Sequence, residues 1–270
     1  MADSSPLATS ADTISVSSNV GPGIQGPDGE GSPEKSARIQ KHFDEFEHYV
    51  SRAEGYLAEG ELEAAAAHCA IASHLATRAH AGIFWSPRAE AILNEIGRRI
   101  PDPDAKGVRP RPTEFKRILQ VCTQVHKVGG HSKMLCQWVN ADATRTHSLV
   151  LTQHRGPTPK FVRETFERSG GKVEWLNHRP GGQIAWAKRL RQIAKDFDLV
   201  ILHTHCEDVV PLIAFAETEK YPPVLVLNHA DHIFWYGPSI CHLSINLRDA
   251  AQVIAIARRG VDPARNILMP

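Results

Sequence analysis

No run of about 18 consecutive apolar residues occurs in this chain, so no helical membrane span is expected. Net charge is also lacking. With 31 Lys and Arg against 30 Asp and Glu, the balance is +1 at pH 7, which excludes a general attraction to nucleic acid or to an anionic membrane. The N-terminus has no basic start followed by an apolar stretch, so it does not read as a secretory signal. Cysteine is sparse and unpatterned: Cys69, Cys122, Cys136, Cys206 and Cys241 form no CxxC pair. That argues against a disulfide framework and for free thiols in a cytoplasmic protein.

What is present is a composition that is 42% hydrophobic and 23% charged, enough for one large or two smaller domains. Fifteen histidines are the unusual feature. Residues 1–36 are rich in Ser, Gly, Pro and Asp, cannot bury enough apolar surface, and read as a disordered tail.

Residues 37–101 read as a small helical domain. Ile39, Phe43, Phe46, Tyr49, Val50 and Ala53 recur at helical spacing over 36–58, Gly60 breaks the pattern, and an alanine-rich helix follows over 62–80. The stretch 53–72, AEGYLAEGELEAAAAHCAIA, resembles one tetratricopeptide unit. A solenoid needs about three units, so a plain helical hairpin is expected. Ser86 and Pro87 open a third helix as N-cap and first helical residue. Residues 102–115 read as a semi-extended linker.

From residue 116 to 270 the pattern alternates. The strands are RILQVCTQV, HSLVLTQ, KVEWL, DLVILHT, PVLVLN, LSINL and NILMP. The helices are GGHSKMLCQWVNA, PKFVRETFERSGG, GGQIAWAKRLRQIAKDF, EDVVPLIAFAETEKY and RDAAQVIAIARRG. Alternation of this kind predicts an α/β fold, with right-handed βαβ units in a Rossmann-like parallel sheet covered by helices on both faces.

In such sheets ligands sit beyond the carboxyl ends of the strands, where the strand order reverses. With order 3-2-1-4-5-6, strands one, four and five are neighbours. Their ends carry Gly129, Gly130 and His131, then His203 and His205 with Glu207 and Asp208, then Asn228, His229, Asp231 and His232. The glycine pair admits close approach of a ligand to the backbone, although neither a GxGxxG fingerprint nor a phosphate loop stands at that turn. His203 and His205, two apart, would share one side of an extended chain. Yet HTHCED departs from the HxHxDH pattern of binuclear zinc hydrolases, so a polar pocket wall is expected there and no metal is assigned. The trio His229, Asp231 and His232 ends a buried strand, where ionisable groups are costly without a task. A His oriented by a carboxylate suits general-base chemistry. Phe234, Trp235 and Tyr236 behind it read as core packing rather than a sugar platform. Gly181 and Gly182, after Arg179, read equally as an anion site or as loop punctuation, and Arg248 and Asp249 are weaker candidates.

VxxGGH after the first strand, HxH after the fourth and LNHADHIFWYG after the fifth resemble the N-terminal, acceptor-side domain of bacterial GT-B glycosyltransferases. The resemblance covers residues 116–270 and implies two Rossmann-like domains facing across a cleft. It implies transfer of a sugar from a nucleotide-sugar co-substrate, with no other cofactor, to the hydroxyl of an unidentified sugar acceptor. By resemblance Gly129, Gly130 and His131 border the cleft near the donor phosphates, and His229 with Asp231 lies near the acceptor hydroxyl. His229 is then the base, oriented by Asp231 or Asp208, with His203, His205, Asn228 and His232 lining the substrate site. Donor-binding residues of the second domain are not found in the sequence, which reads as a truncated or split enzyme whose donor domain is a separate partner. Two other classes stay open. One is a metal-dependent hydrolase using His203, His205, Asp208, His229 and Asp231; the other is a non-catalytic binding module.

Overall fold

The computed structural model describes residues 32–102 and 108–269. The expected disorder of residues 1–31, and residues 103–107 of the expected linker, lie outside these. Three helices come first: α1 (Pro33–Glu59), α2 (Leu62–Ala79) and α3 (Pro87–Arg99). α1 begins inside the stretch read as tail. Ser32 caps it, accepting from the Lys35 backbone N–H, and Pro33 stands in its first turn. This is the same Ser-Pro start as in α3, where Ser86 Oγ accepts from Ala89 N at 3.2 Å. Low hydrophobicity hid the first cap and not the second.

An alternating unit follows: β1 (Arg117–Cys122), α4 (Gly130–Ala141), β2 (Thr146–Leu151), α5 (Lys160–Arg168), β3 (Val173–Trp175), α6 (Gln183–Ala194), β4 (Leu199–His203), α7 (Val210–Ala214), β5 (Val224–Asn228), β6 (Leu243–Asn246), α8 (Asp249–Arg259) and β7 (Asn266–Leu268). The strands form one seven-stranded sheet in the order 3-2-1-4-5-6-7, with every neighbouring pair parallel. The α/β expectation and the assumed strand order both hold. α7 is much shorter than the expected helix. The Arg191 guanidinium takes the carbonyls of Ile213 and Ala214, which a longer helix would offer to its next turn.

Alternation along β1 splits the core. Cys122 faces α4 and α5, with Leu135, Val139, Leu149, Val162 and Phe166. Leu119 and Val121 face the other way, into a core shared by α6, α7 and the three N-terminal helices. The helical segment is therefore not a separate globule. Arg191 also donates to Gly97 O and Ile100 O, and the fully buried Glu90 of α3 accepts from Gly237 N at 2.6 Å and Ser239 N at 2.8 Å. The linker's ends are pinned as well: Asp102 pairs with Lys195 at 2.6 Å, and Arg109 donates to Lys195 O and Phe197 O. All five cysteines are free and buried. No helix among the described residues is long and apolar enough to cross a membrane.

Candidate functional site

β1, β4 and β5 lie side by side, and their carboxyl ends feed three loops into one place. After β1 the chain turns at Gly129, whose φ of +127° is a conformation that side chains rarely adopt. No side chain caps α4, and a Cβ placed on Gly129 or Gly130 would meet nothing within 4 Å. The helix start is thus bare, with open space above the backbone. The turn is closed behind by His126 N donating to Ser132 Oγ at 2.8 Å.

Three imidazoles meet beneath this turn. The His131 ring, in the first turn of α4, lies 4.6 Å from that of His229 and 5.8 Å from that of His203. Trp138, further along α4, meets the His203 ring edge-on at 5.9 Å. Burial holds all three histidines below the ordinary imidazole range, and their mutual proximity pushes the same way for His131 and His203. His131 is driven down to about 3. All three cluster imidazoles are therefore neutral at pH 7. His205, two residues past His203, instead turns its Nδ1 to Glu207 at 3.8 Å.

Neutrality fixes which nitrogens are free. His229 Nδ1 faces Leu227 O at 3.2 Å and must donate to it, leaving Nε2 with its lone pair. His203 Nε2 faces Gln120 Oε1 at 2.7 Å, so Nδ1 is bare. That Nδ1 and His131 Nε2 are both buried without a partner. The site offers lone pairs and asks for a donor.

The carboxylates go elsewhere. The resemblance implies Asp231 or Asp208 as the orienter of His229, and the structure joins neither to it. Asp231 is buried against the guanidinium of Arg248, with His232 Nδ1 at 3.5 Å on the exposed side. Asp208 accepts from Thr123 Oγ1 at 2.6 Å, from Thr152 Oγ1 and from Val210 N at 3.1 Å. Burial raises its pKa despite these bonds. Thr123 Oγ1 in turn accepts from His205 N at 2.8 Å, so Asp208 ties together the ends of β1, β2 and β4. The Leu227 carbonyl, not a carboxylate, orients His229. Asn228 Nδ2 donates along an asparagine ladder to Asn246, which continues to Asn266. Its Oδ1 is left unpartnered.

The aromatic run is core, as expected. Phe234 packs on Phe46 of α1 at 5.6 Å, and Tyr236 Oη donates to Cys69 O at 3.0 Å. Arg259, buried over Trp235, donates to the carbonyls of Ala230, Asp231 and Ile233 and so shapes the loop carrying His229. Gly181 and Gly182 hold no free anion site. The carboxylate of Glu63, from α2, accepts from Ile184 N at 2.9 Å and already occupies that helix start.

Gln120, Trp138 and Arg259 were not singled out by sequence reasoning. Gln120 did leave a signal: an amide inside the apolar run RILQVC. Among the described residues, no group of three or more His, Cys, Asp or Glu side chains is placed to hold a metal ion. A small cavity opens beside His229, lined by Thr204, Cys206, Asn228, Trp235 and Tyr236. A roomier groove of about 340 Å³ lies at the opposite, amino ends of β1 and β2. Its arginines, Arg117 and Arg189, are already paired with Asp198 and Glu174. Comparison with protein-family models gives no match, and comparison with curated proteins gives none either.

Proposed function

We propose that this chain is the acceptor-side domain of a GT-B glycosyltransferase, which moves a sugar from a nucleotide-sugar to an acceptor hydroxyl. One observation supports this reading most. Buried, unpartnered nitrogens of His131 and His203 and the free Nε2 of His229 gather from three strand ends beside an uncapped helix start. Lone pairs without donors suit a hydroxyl, which brings its own proton. A bare helix N-terminus suits the phosphates of a nucleotide-sugar.

In an inverting reaction the acceptor oxygen attacks the anomeric carbon as the bond to the nucleoside diphosphate breaks. The hydroxyl proton passes to Nε2 of His229, while Nδ1–H stays on the Leu227 carbonyl. The low basicity of the buried cluster makes the base weak before substrate arrives. A bound oxyanion-forming hydroxyl and a departing diphosphate would raise it by supplying negative charge. On this reading a second Rossmann-like domain holds the nucleotide-sugar.

The test is titration of the histidine-¹⁵N-labelled chain with a panel of mono- and disaccharides and nucleoside diphosphate sugars. Resonances of His131 and His229 should shift with an acceptor, and His229→Ala should weaken that binding about tenfold or more. A panel that moves neither histidine would overturn the reading.

A further inference from the structure

Three fully buried polar side chains run obliquely across the α4 face of the sheet, each two residues further along than the last: His147 on β2 (opposite Ile118), Gln120 on β1 and His203 on β4 (opposite Cys122). Burying them is costly unless each is bonded, and apolar residues would fill the same space without that cost. They are bonded in one continuous line that starts at Asp142, just past the end of α4. His147 Nε2 lies 3.1 Å from Asp142 Oδ2, Gln120 Nε2 lies 3.1 Å from His147 Nδ1, and His203 Nε2 lies 2.7 Å from Gln120 Oε1. The line passes beneath α4, from Asp142 at its carboxyl end toward His131 at its amino end.

Each member has only one way to donate. Burial would raise the Asp142 pKa, but hydrogen bonds from Arg145, His147 and Thr144 outweigh it and keep the carboxyl ionised. An ionised carboxylate only accepts, so His147 donates from Nε2 and carries its lone pair on Nδ1. That lone pair takes the Gln120 amide N–H and turns Oε1 toward β4. His203 must then donate from Nε2. Its Nδ1 is left bare and buried, on a ring 5.8 Å from that of His131.

We propose that Asp142, His147 and Gln120 are positioning residues that fix His203 as its Nε2–H tautomer, so that its Nδ1 keeps a bare lone pair in the histidine cluster. The line carries orientation and not a proton, because an amide in its middle cannot pass one on without becoming an imidic acid. A part-buried carboxylate at the end of α4 thereby sets the hydrogen-bonding sense of a sealed imidazole across three strands. The word positioning rests on the glycosyl-transfer reading, which makes the cluster the reactive site. The tautomer itself does not.

Long-range ¹H–¹⁵N spectra of the histidine-labelled full chain at neutral pH test this without any ligand. His147 and His203 should each appear as the neutral Nε2–H tautomer. Asp142→Ala, a change near the surface, removes the anchor, and the tautomer ratio at His203 should fall about tenfold or more. Gln120→Met should do the same from the middle of the line; if it does not fold, Asp142→Ala decides. A wild-type His203 protonated on Nδ1, or a His203 unmoved in Asp142→Ala, would overturn the proposal. A structural role alone would lower stability and leave the ratio where it was. Failure here leaves the sugar titration standing, and failure of that titration leaves the tautomers standing.

Discussion

Burial, not a neighbouring charge, dominates each histidine of the cluster, and this has a consequence for acid stability. His131, His203 and His229 all titrate below 6.5 in the folded chain. The folded state therefore binds fewer protons than the unfolded state below that value. The stability this represents is fully present above about pH 6.5 and is lost as pH falls toward the folded pKa, about 3 for His131. His131→Asn should flatten the fall in urea midpoint between neutral pH and about pH 5, because one of the titrating groups is gone. An unchanged slope would mean that His131 is not buried in solution. At this scale the sequence was partly legible. Histidines at strand ends announce themselves because the pattern breaks there. Their partners do not. Asp208 and Asp231 stand close to the histidines in sequence, and contact threonines and an arginine in space. Gln120 and His147 stand inside strands, where only a polar residue out of register with its apolar neighbours hints at a role.

Elements are held here by groups borrowed from other elements. The carboxylate of Glu63 caps α6 from α2, and Gly182 makes room for it: a Cβ at that position would lie 1.6 Å from Glu63 Oε1. Glu63→Ala should cost about 1 kcal/mol, the worth of an N-terminal cap with its dipole interaction, read from urea unfolding. Gly182→Ala should cost a similar amount by expelling the same carboxylate, and the double variant should cost little more than either single one. Additive losses would show that the glycine serves the turn alone. The glycine pair was legible as a helix start, read equally as an anion site or as loop punctuation. What could not be read was that the anion is the chain's own, because the contact joins residues 121 positions apart. α7 teaches the same lesson. Its sequence continues in helical style, but Arg191 of α6 intercepts its carbonyls, and no local pattern encodes that.

Over the whole molecule, alternation reads as a parallel sheet and handedness prunes its topologies, while the order 3-2-1-4-5-6 was assumed as the common one and holds in the structure. Whether the chain divides into two domains could not be read, since Phe46, Ala65, Ala66 and Leu93 look like the inside of any helical bundle. In the structure they share one core with Leu119, Val121, Phe215 and Phe234. Heating should therefore give one transition, with far-ultraviolet ellipticity and tryptophan fluorescence superimposing, where independent domains would give two. Arg191 is the sharpest probe of this coupling, because it donates to backbone carbonyls of both parts: Gly97 and Ile100 on one side, Ile213 and Ala214 on the other. Arg191→Met keeps much of the side chain's bulk and leaves all four without that donor. Each buried carbonyl so abandoned costs about 1 kcal/mol or more, giving a loss above about 3 kcal/mol for the set. If the core is truly common, that loss appears as a lower midpoint of the single transition. A split into two transitions, with the helical segment melting first, would show that the arginine, rather than the shared apolar surface, joins the halves.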